Sequence, residues 1–268
     1  MNKKNKKDIT YLFDLDGTLT LEDDATPYAP ELIGFLNDHR REFYIITNGC
    51  ALSSQNICEK LKNLNMEVKT ENIITAADVL TDILNECYKN DGIFVAGAEW
   101  LKSHLLKSGF RLVSQDPKVV VVSYDKNTRF AEIEDCIRFI HDGAVCLSTN
   151  DDFFIPGMRH SYPHTGFINA VIEDSLKRKP GIVGKPSPHF LVKILKRSAG
   201  RSQHFCVVGD NMATDIAFAK NCGMMSYLVL TGITGRDDIA EDDVNLPDRI
   251  FDNLKGLLEL EKSHYNGE

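Results

Sequence analysis

Seven short apolar runs, separated by stretches of helical period, restrict the fold of this chain more than any other feature. The runs are Ile9 to Phe13, Phe43 to Ile46, Ile93 to Ala96, Val119 to Ser123, Val145 to Leu147, Phe205 to Val208 and Tyr227 to Leu230. Most are near-continuous in apolar residues, as strands buried on both faces are. Between them Ile57/Leu61/Leu64, Val79/Leu80/Ile83, Ile133/Ile137/Ile140 and Leu191/Ile194/Leu195 recur at helical spacing, each a stripe that packs on a sheet. Such alternation builds a parallel sheet covered by helices, so the class is α/β. Pro30 and Pro188 fit the first turns of two of the helices, where a missing N–H costs nothing.

A length of 268 residues is long for one compact domain and short for two average ones, which favours a core carrying a substantial insertion. Hydrophobic residues at 43% and charged residues at 26% exclude disorder as the main state. With 31 Lys and Arg against 39 Asp and Glu, a net charge of −8, the overall field repels polyanions and nucleic acid is not expected as a partner. The lysine-rich stretch Met1 to Lys7 is expected to be disordered, and Asp14 and Asp16 break the apolar run behind it, so it does not read as a signal peptide. No apolar run approaches the roughly 20 residues of a membrane span, so no membrane association and a cytoplasmic location are expected. Cysteines at 50, 58, 87, 136, 146, 206 and 222 form no Cys-x-x-Cys pair and are expected to be reduced, with Cys146 and Cys206 as small buried hydrophobes.

An open α/β sheet places its ligand where core strands end. The first strand runs into Asp14-Leu15-Asp16-Gly17-Thr18, two carboxylates that share one small pocket and resist ionising together. The second ends in Thr47-Asn48-Gly49, a hydroxyl, an amide and a glycine-freed backbone suited to phosphate oxygens. Val183-Gly184-Lys185-Pro186 holds a lysine ahead of a helix start, a point charge for an anion. A later strand, Phe205 to Val208, ends in Gly209-Asp210 and opens a helix at Asp215, oxygen ligands that suit Mg²⁺. Each of these also reads, taken singly, as a turn, a cap or a solvated lysine. Their conjunction at four strand ends in chain order points to chemistry.

In that conjunction the sequence resembles the haloacid dehalogenase superfamily of phosphohydrolases, at Asp14/Asp16, Thr47, Lys185 and Asp210/Asp215. Leu147-Ser-Thr-Asn-Asp151, Pro163-His-Thr-Gly166, Lys179-Pro180, Gly184-Lys-Pro-Ser-Pro188, Leu228-Val-Leu-Thr-Gly232 and Arg236-Asp-Asp238 are similar to its p-nitrophenylphosphatase, NagD-like branch. One departure is Pro163-His164-Thr165-Gly166, where the branch shows Pro-Gly-x-Gly. The resemblance implies a Rossmann-like core, residues 1–77 plus 181–268, with an inserted α/β cap over 78–180.

It also implies Mg²⁺-dependent hydrolysis of small phosphate monoesters of sugar phosphate, nucleotide, pyridoxal phosphate or phosphoglycolate type. A phosphotransferase or mutase of the same superfamily, and a non-catalytic phosphometabolite-binding protein, are the alternatives. Asp14 is the expected nucleophile, since a carboxylate needs no base to activate it, and the resemblance makes Asp16 the general acid and base. Mg²⁺ is expected on the Asp14 and Asp210 side chains and the Asp16 carbonyl, with Asp215 ordering a bound water or Lys185. Thr47, Asn48 and Gly49 are expected at the phosphoryl group, and Arg159, His160 and His164 of the cap at the leaving group. The expected partner is a small phosphorylated metabolite, and a homodimer fits the branch.

Overall fold

Residues 9–157, 159–198, 204–240 and 245–266 are described in a computed structural model, and the lysine-rich stretch 1–7 lies outside them. The strands of the first half are β1 (Ile9–Phe13), β2 (Thr20–Leu21), β3 (Asp24–Ala25), β4 (Phe43–Thr47), β5 (Ile73–Thr75), β6 (Gly92–Ala96), β7 (Arg111–Leu112) and β8 (Val119–Val122). Those of the second are β9 (Val145–Ser148), β10 (Phe154–Ile155), β11 (Tyr162–Pro163), β12 (Gly181–Ile182), β13 (His204–Gly209), β14 (Met225–Val229) and β15 (Arg249–Phe251). The helices are α1 (Ala29–Asp38), α2 (Ser54–Asn63), α3 (Ala76–Cys87), α4 (Glu99–Lys107), α5 (Phe130–His141), α6 (Thr165–Leu176), α7 (His189–Ser198), α8 (Ala217–Asn221) and α9 (Lys255–Asn266).

Two parallel sheets result. The first has the order β15-β14-β13-β1-β4-β5 and the second β12-β9-β8-β6-β7. Each of the seven apolar runs is a strand, and the near-continuous hydrophobicity has a plain cause: both faces of the first sheet are covered. Tyr11, Phe13, Ile45, Cys206 and Val208 pack with α1, α2 and α9 on one face. Leu12, Tyr44, Ile46 and Val207 alternate with them and pack with α3, α7 and α8 on the other. That second core continues into Ile93, Val95, Val119 and Val121 of the second sheet, whose far face packs on α5 and α6.

Two differences from the sequence reading follow from burial. The apolar face of α7 runs through Phe190 and Ile194, four residues apart, with Leu191 partly buried beside them, and Leu195 lies beyond the edge of that face and is exposed. Gly181 and Ile182 hydrogen-bond to β9 in the second sheet, although the sequence division puts them in the core. All seven cysteines are free thiols. No helix among the described residues is long and apolar enough to cross a membrane.

From β1 the chain runs outward through β4 to β5, and later from β13 through β14 to β15 on the opposite side. Between β1 and its two neighbours the connections diverge, which leaves a crevice at the carboxyl ends of β13, β1 and β4.

Candidate active site

Asp14 leaves β1 at that crevice. Its N–H donates to the Val208 carbonyl at 2.9 Å, which carries the β1–β13 ladder one step beyond the strand and fixes the carboxylate at the sheet edge. Gly17 then turns the chain with φ +89°, and a Cβ there would run into the Asp210 carboxylate, so conformation and space both require glycine. Asp16 accepts a hydrogen bond from the Thr20 hydroxyl at 3.4 Å.

Lys185 comes from the other side of the crevice. Its Nζ donates to Asp14 Oδ1 and to Asp215 Oδ1, each at 2.6 Å, and to the Ile46 carbonyl at 3.1 Å, with 1% of its surface exposed. Burial opposes its charge, but the carboxylates of Asp14 and Asp215 outweigh burial and raise its pKa above the ordinary lysine value.

Asp210 and Asp215 follow β13. The Ile233 N–H donates to Asp210 Oδ2 at 2.7 Å, and the Asn211 N–H to Asp215 Oδ2 at 3.2 Å. Carboxylate oxygens of Asp14, Asp210 and Asp215 lie within 4.8 Å of one another. Burial, reinforced by the neighbouring Asp215, pushes Asp210 up to about 8. Burial also raises Asp14 well above the usual carboxylate range, with Lys185 opposing and Asp215 and Asp210 adding to it. Acids crowded like this, with one ammonium among them, form an oxygen donor set short of positive charge, which suits a hard divalent cation. The Asp16 side chain stands outside this trio, and burial raises its pKa as well.

Thr47 Oγ1 accepts the Gly49 N–H at 3.0 Å, so its own hydroxyl hydrogen remains available to a ligand. Asn48 is used differently from expectation. Its amide donates to Asp152 Oδ2 at 2.7 Å and to the Lys185 carbonyl at 3.1 Å, while its Oδ1 accepts the Lys185 N–H at 2.8 Å. The side chain thus braces Lys185 and holds the second sheet to the first.

One cavity of about 60 Å³ is lined by Asp14, Asp16, Thr47, Asn48, Gly49, Lys185, Asp210, Asp215 and His164. The exposed Arg159 and His160 do not line it. The β10–β11 hairpin carries them outward, and Tyr162 beside them donates to Glu22 at 3.4 Å. Sequence reasoning missed Asp152, Asn211, Thr214 and the stretch Phe154 to Pro156, all of which line the cavity. Burial pushes Asp152 up to about 6, against the hydrogen bond from Asn48. The signal for Asp152 was its place just beyond β9, the same strand-end rule that singled out Asp14.

Family profiles match two segments: haloacid dehalogenase-like hydrolase over residues 11–111 and HAD-hydrolase-like over residues 182–257. The acid sugar phosphatase of Staphylococcus aureus (strain USA300) is 29% identical over 254 residues, covering 94% of this chain and 98% of its own. A 4-nitrophenylphosphatase structure from Thermotoga maritima superposes with a TM-score of 0.84 at 28% identity, covering 93% of this chain and 96% of that one. A glycerol phosphate phosphatase from Mycobacterium tuberculosis, solved in complex with magnesium, gives 0.83 at 26% identity, covering 94% of this chain and 77% of its own. The latter has also been solved with calcium.

Proposed function

The chain belongs to the haloacid dehalogenase-like hydrolases and is a phosphomonoester hydrolase, and from that premise we propose that it cleaves small phosphorylated metabolites with Mg²⁺ through an aspartyl phosphate on Asp14. The observation that carries the mechanism is the buried Lys185 ammonium, 2.6 Å from both Asp14 and Asp215. It sets positive charge beside the carboxylate that must meet an anionic ester.

A divalent cation on the Asp14 and Asp210 carboxylates and the Asp16 carbonyl supplies further positive charge to the phosphoryl oxygens when bound. Lys185, held in turn by Asp215, fixes Asp14 in place. The hydroxyl of Thr47 and the backbone at Asn48 and Gly49 orient the phosphoryl group. An Asp14 oxygen attacks phosphorus, a P–O bond forms to Asp14, and the bond to the leaving oxygen breaks. Asp16, whose burial favours its protonated form, gives that leaving oxygen its proton. The resulting Asp16 carboxylate then takes a proton from the water whose oxygen displaces Asp14, which releases phosphate and restores both acids.

The relatives include an acid sugar phosphatase and a glycerol phosphate phosphatase, which supports a substrate with a small leaving group. The test is release of p-nitrophenol from its phosphate ester. Turnover is expected to require Mg²⁺, to stop on chelation, and to fall by at least about a thousandfold in Asp14→Asn. Retained Mg²⁺-dependent turnover in a clean Asp14→Asn preparation overturns the mechanism.

A further inference from the structure

We infer that His164 selects the leaving group, accepting on Nε2 a hydrogen bond from a hydroxyl of an uncharged polyol phosphate. The inference rests on the phosphatase reading and narrows it.

His164 reaches the cavity at the start of α6, where it is 7% exposed. Its Nδ1 lies 2.9 Å from Asn150 Oδ1. Asn150 in turn donates its Nδ2 to the Asn48 carbonyl at 3.0 Å and to Thr149 Oγ1 at 3.3 Å, so its oxygen is the atom that faces the histidine. A carbonyl oxygen can only accept, so Nδ1 carries the ring proton and Nε2 presents a lone pair. Nε2 has no partner among the described residues. Burial lowers the His164 pKa to about 4, which keeps the ring neutral at physiological pH. A cavity wall therefore offers an acceptor, fixed through Asn150 to the strand end that carries Thr47, and that acceptor asks for a donor.

Charge decides which donor. The cavity is lined by the carboxylates of Asp14, Asp16, Asp152, Asp210 and Asp215 and by the single ammonium of Lys185, already shared between two of them. Lys60 acts on Asp16 from outside, its Nζ donating to the Glu22 carbonyl at 2.6 Å. Among the described residues of this wall a carboxylate or second phosphate on the leaving group meets no free cation, whereas a hydroxyl meets Nε2. Leaving groups that cannot donate strand a desolvated acceptor, and such sites discriminate strongly.

The experiment compares kcat/KM for near-isosteric pairs with Mg²⁺ present: 2-hydroxyethyl phosphate against phosphoglycolate, and glycerol 3-phosphate against 3-phosphoglycerate. The uncharged member of each pair is expected to be preferred by at least about tenfold. In His164→Ala the uncharged esters should lose about tenfold more than p-nitrophenyl phosphate, which has no hydroxyl donor and reports on folding and on the phosphoryl site. His164→Gln, which keeps an acceptor, should recover most of that difference. Equal losses on all esters, a preference for the carboxylated members, or a Gln variant no better than Ala would each overturn the inference while leaving the phosphatase reading standing. A wild-type enzyme that hydrolyses none of these esters, p-nitrophenyl phosphate included, overturns both.

Discussion

Lys185 keeps its charge in a place where a lysine ought to lose it. The two carboxylates at 2.6 Å are the reason, and removing one partner of a buried ion pair leaves the others uncompensated, at a cost of about 3–5 kcal/mol. Lys185→Met is therefore expected to abolish turnover and to lower stability at pH 7 by about that amount in urea titrations. Burial holds the folded pKa of Asp14 above its unfolded value even with the ammonium in place, and losing Lys185 raises it further, so the deficit should shrink as pH falls and Asp14 protonates. His164 works in the opposite sense. Its folded pKa of about 4 lies below the unfolded value of 6.5, so its neutral form contributes stability above pH 6.5 that is lost as pH falls towards 4. The loss is on the order of 3 kcal/mol. Wild type should lose that much more stability than His164→Gln between pH 7 and 4, as read by urea unfolding at both pH values.

Elements differ in how far their own residues announce them. The long interior strands were legible because a run buried on both faces has no polar alternation to hide it. β5, β12 and β15 have two or three residues each, too few for any period to show, and only pairing with a neighbour makes them strands. In the site, Asp14, Asp16, Lys185, Asp210 and Asp215 were legible because a strand end fixes where a side chain lies. Asp152 was not, because Asp151 beside it is equally acidic and only the packing of β9 against the core sends one into the cavity and leaves the other exposed. Arg159 and His160 misled through chain proximity to His164, since a hairpin intervenes. At the start of α3, Thr75 and Asp78 cap each other reciprocally, with the Thr75 N–H on Asp78 at 2.9 Å and the Asp78 N–H on Thr75 at 3.2 Å. Thr75→Ala should cost about 1 kcal/mol in chemical denaturation with kcat retained, because neither Thr75 nor Asp78 lines the cavity.

At the scale of the whole molecule, Asp152 joins the two sheets, accepting from Asn48 at 2.7 Å and from Asn211 at 3.4 Å. Asp152→Ala is expected to raise KM and to speed hydrogen exchange in the segment 154–163, and unchanged exchange there would refute the clasp. Mg²⁺ binding to the folded site should stabilise the protein by about 2.7 kcal/mol at a hundredfold excess over Kd, seen as a Tm that rises with metal and returns on chelation. The pairing of Asp14 with Asp215 across Lys185 has a consequence for folding. Lys185 lies 171 residues beyond Asp14 and Asp215 a further 30 beyond that, so Asp14 has neither its ammonium nor the acid opposite until those distant segments have folded together. A chain in which β1 and β13 have not yet paired presents an aspartate without a counter-charge, so the donor set is complete only in the assembled sheet.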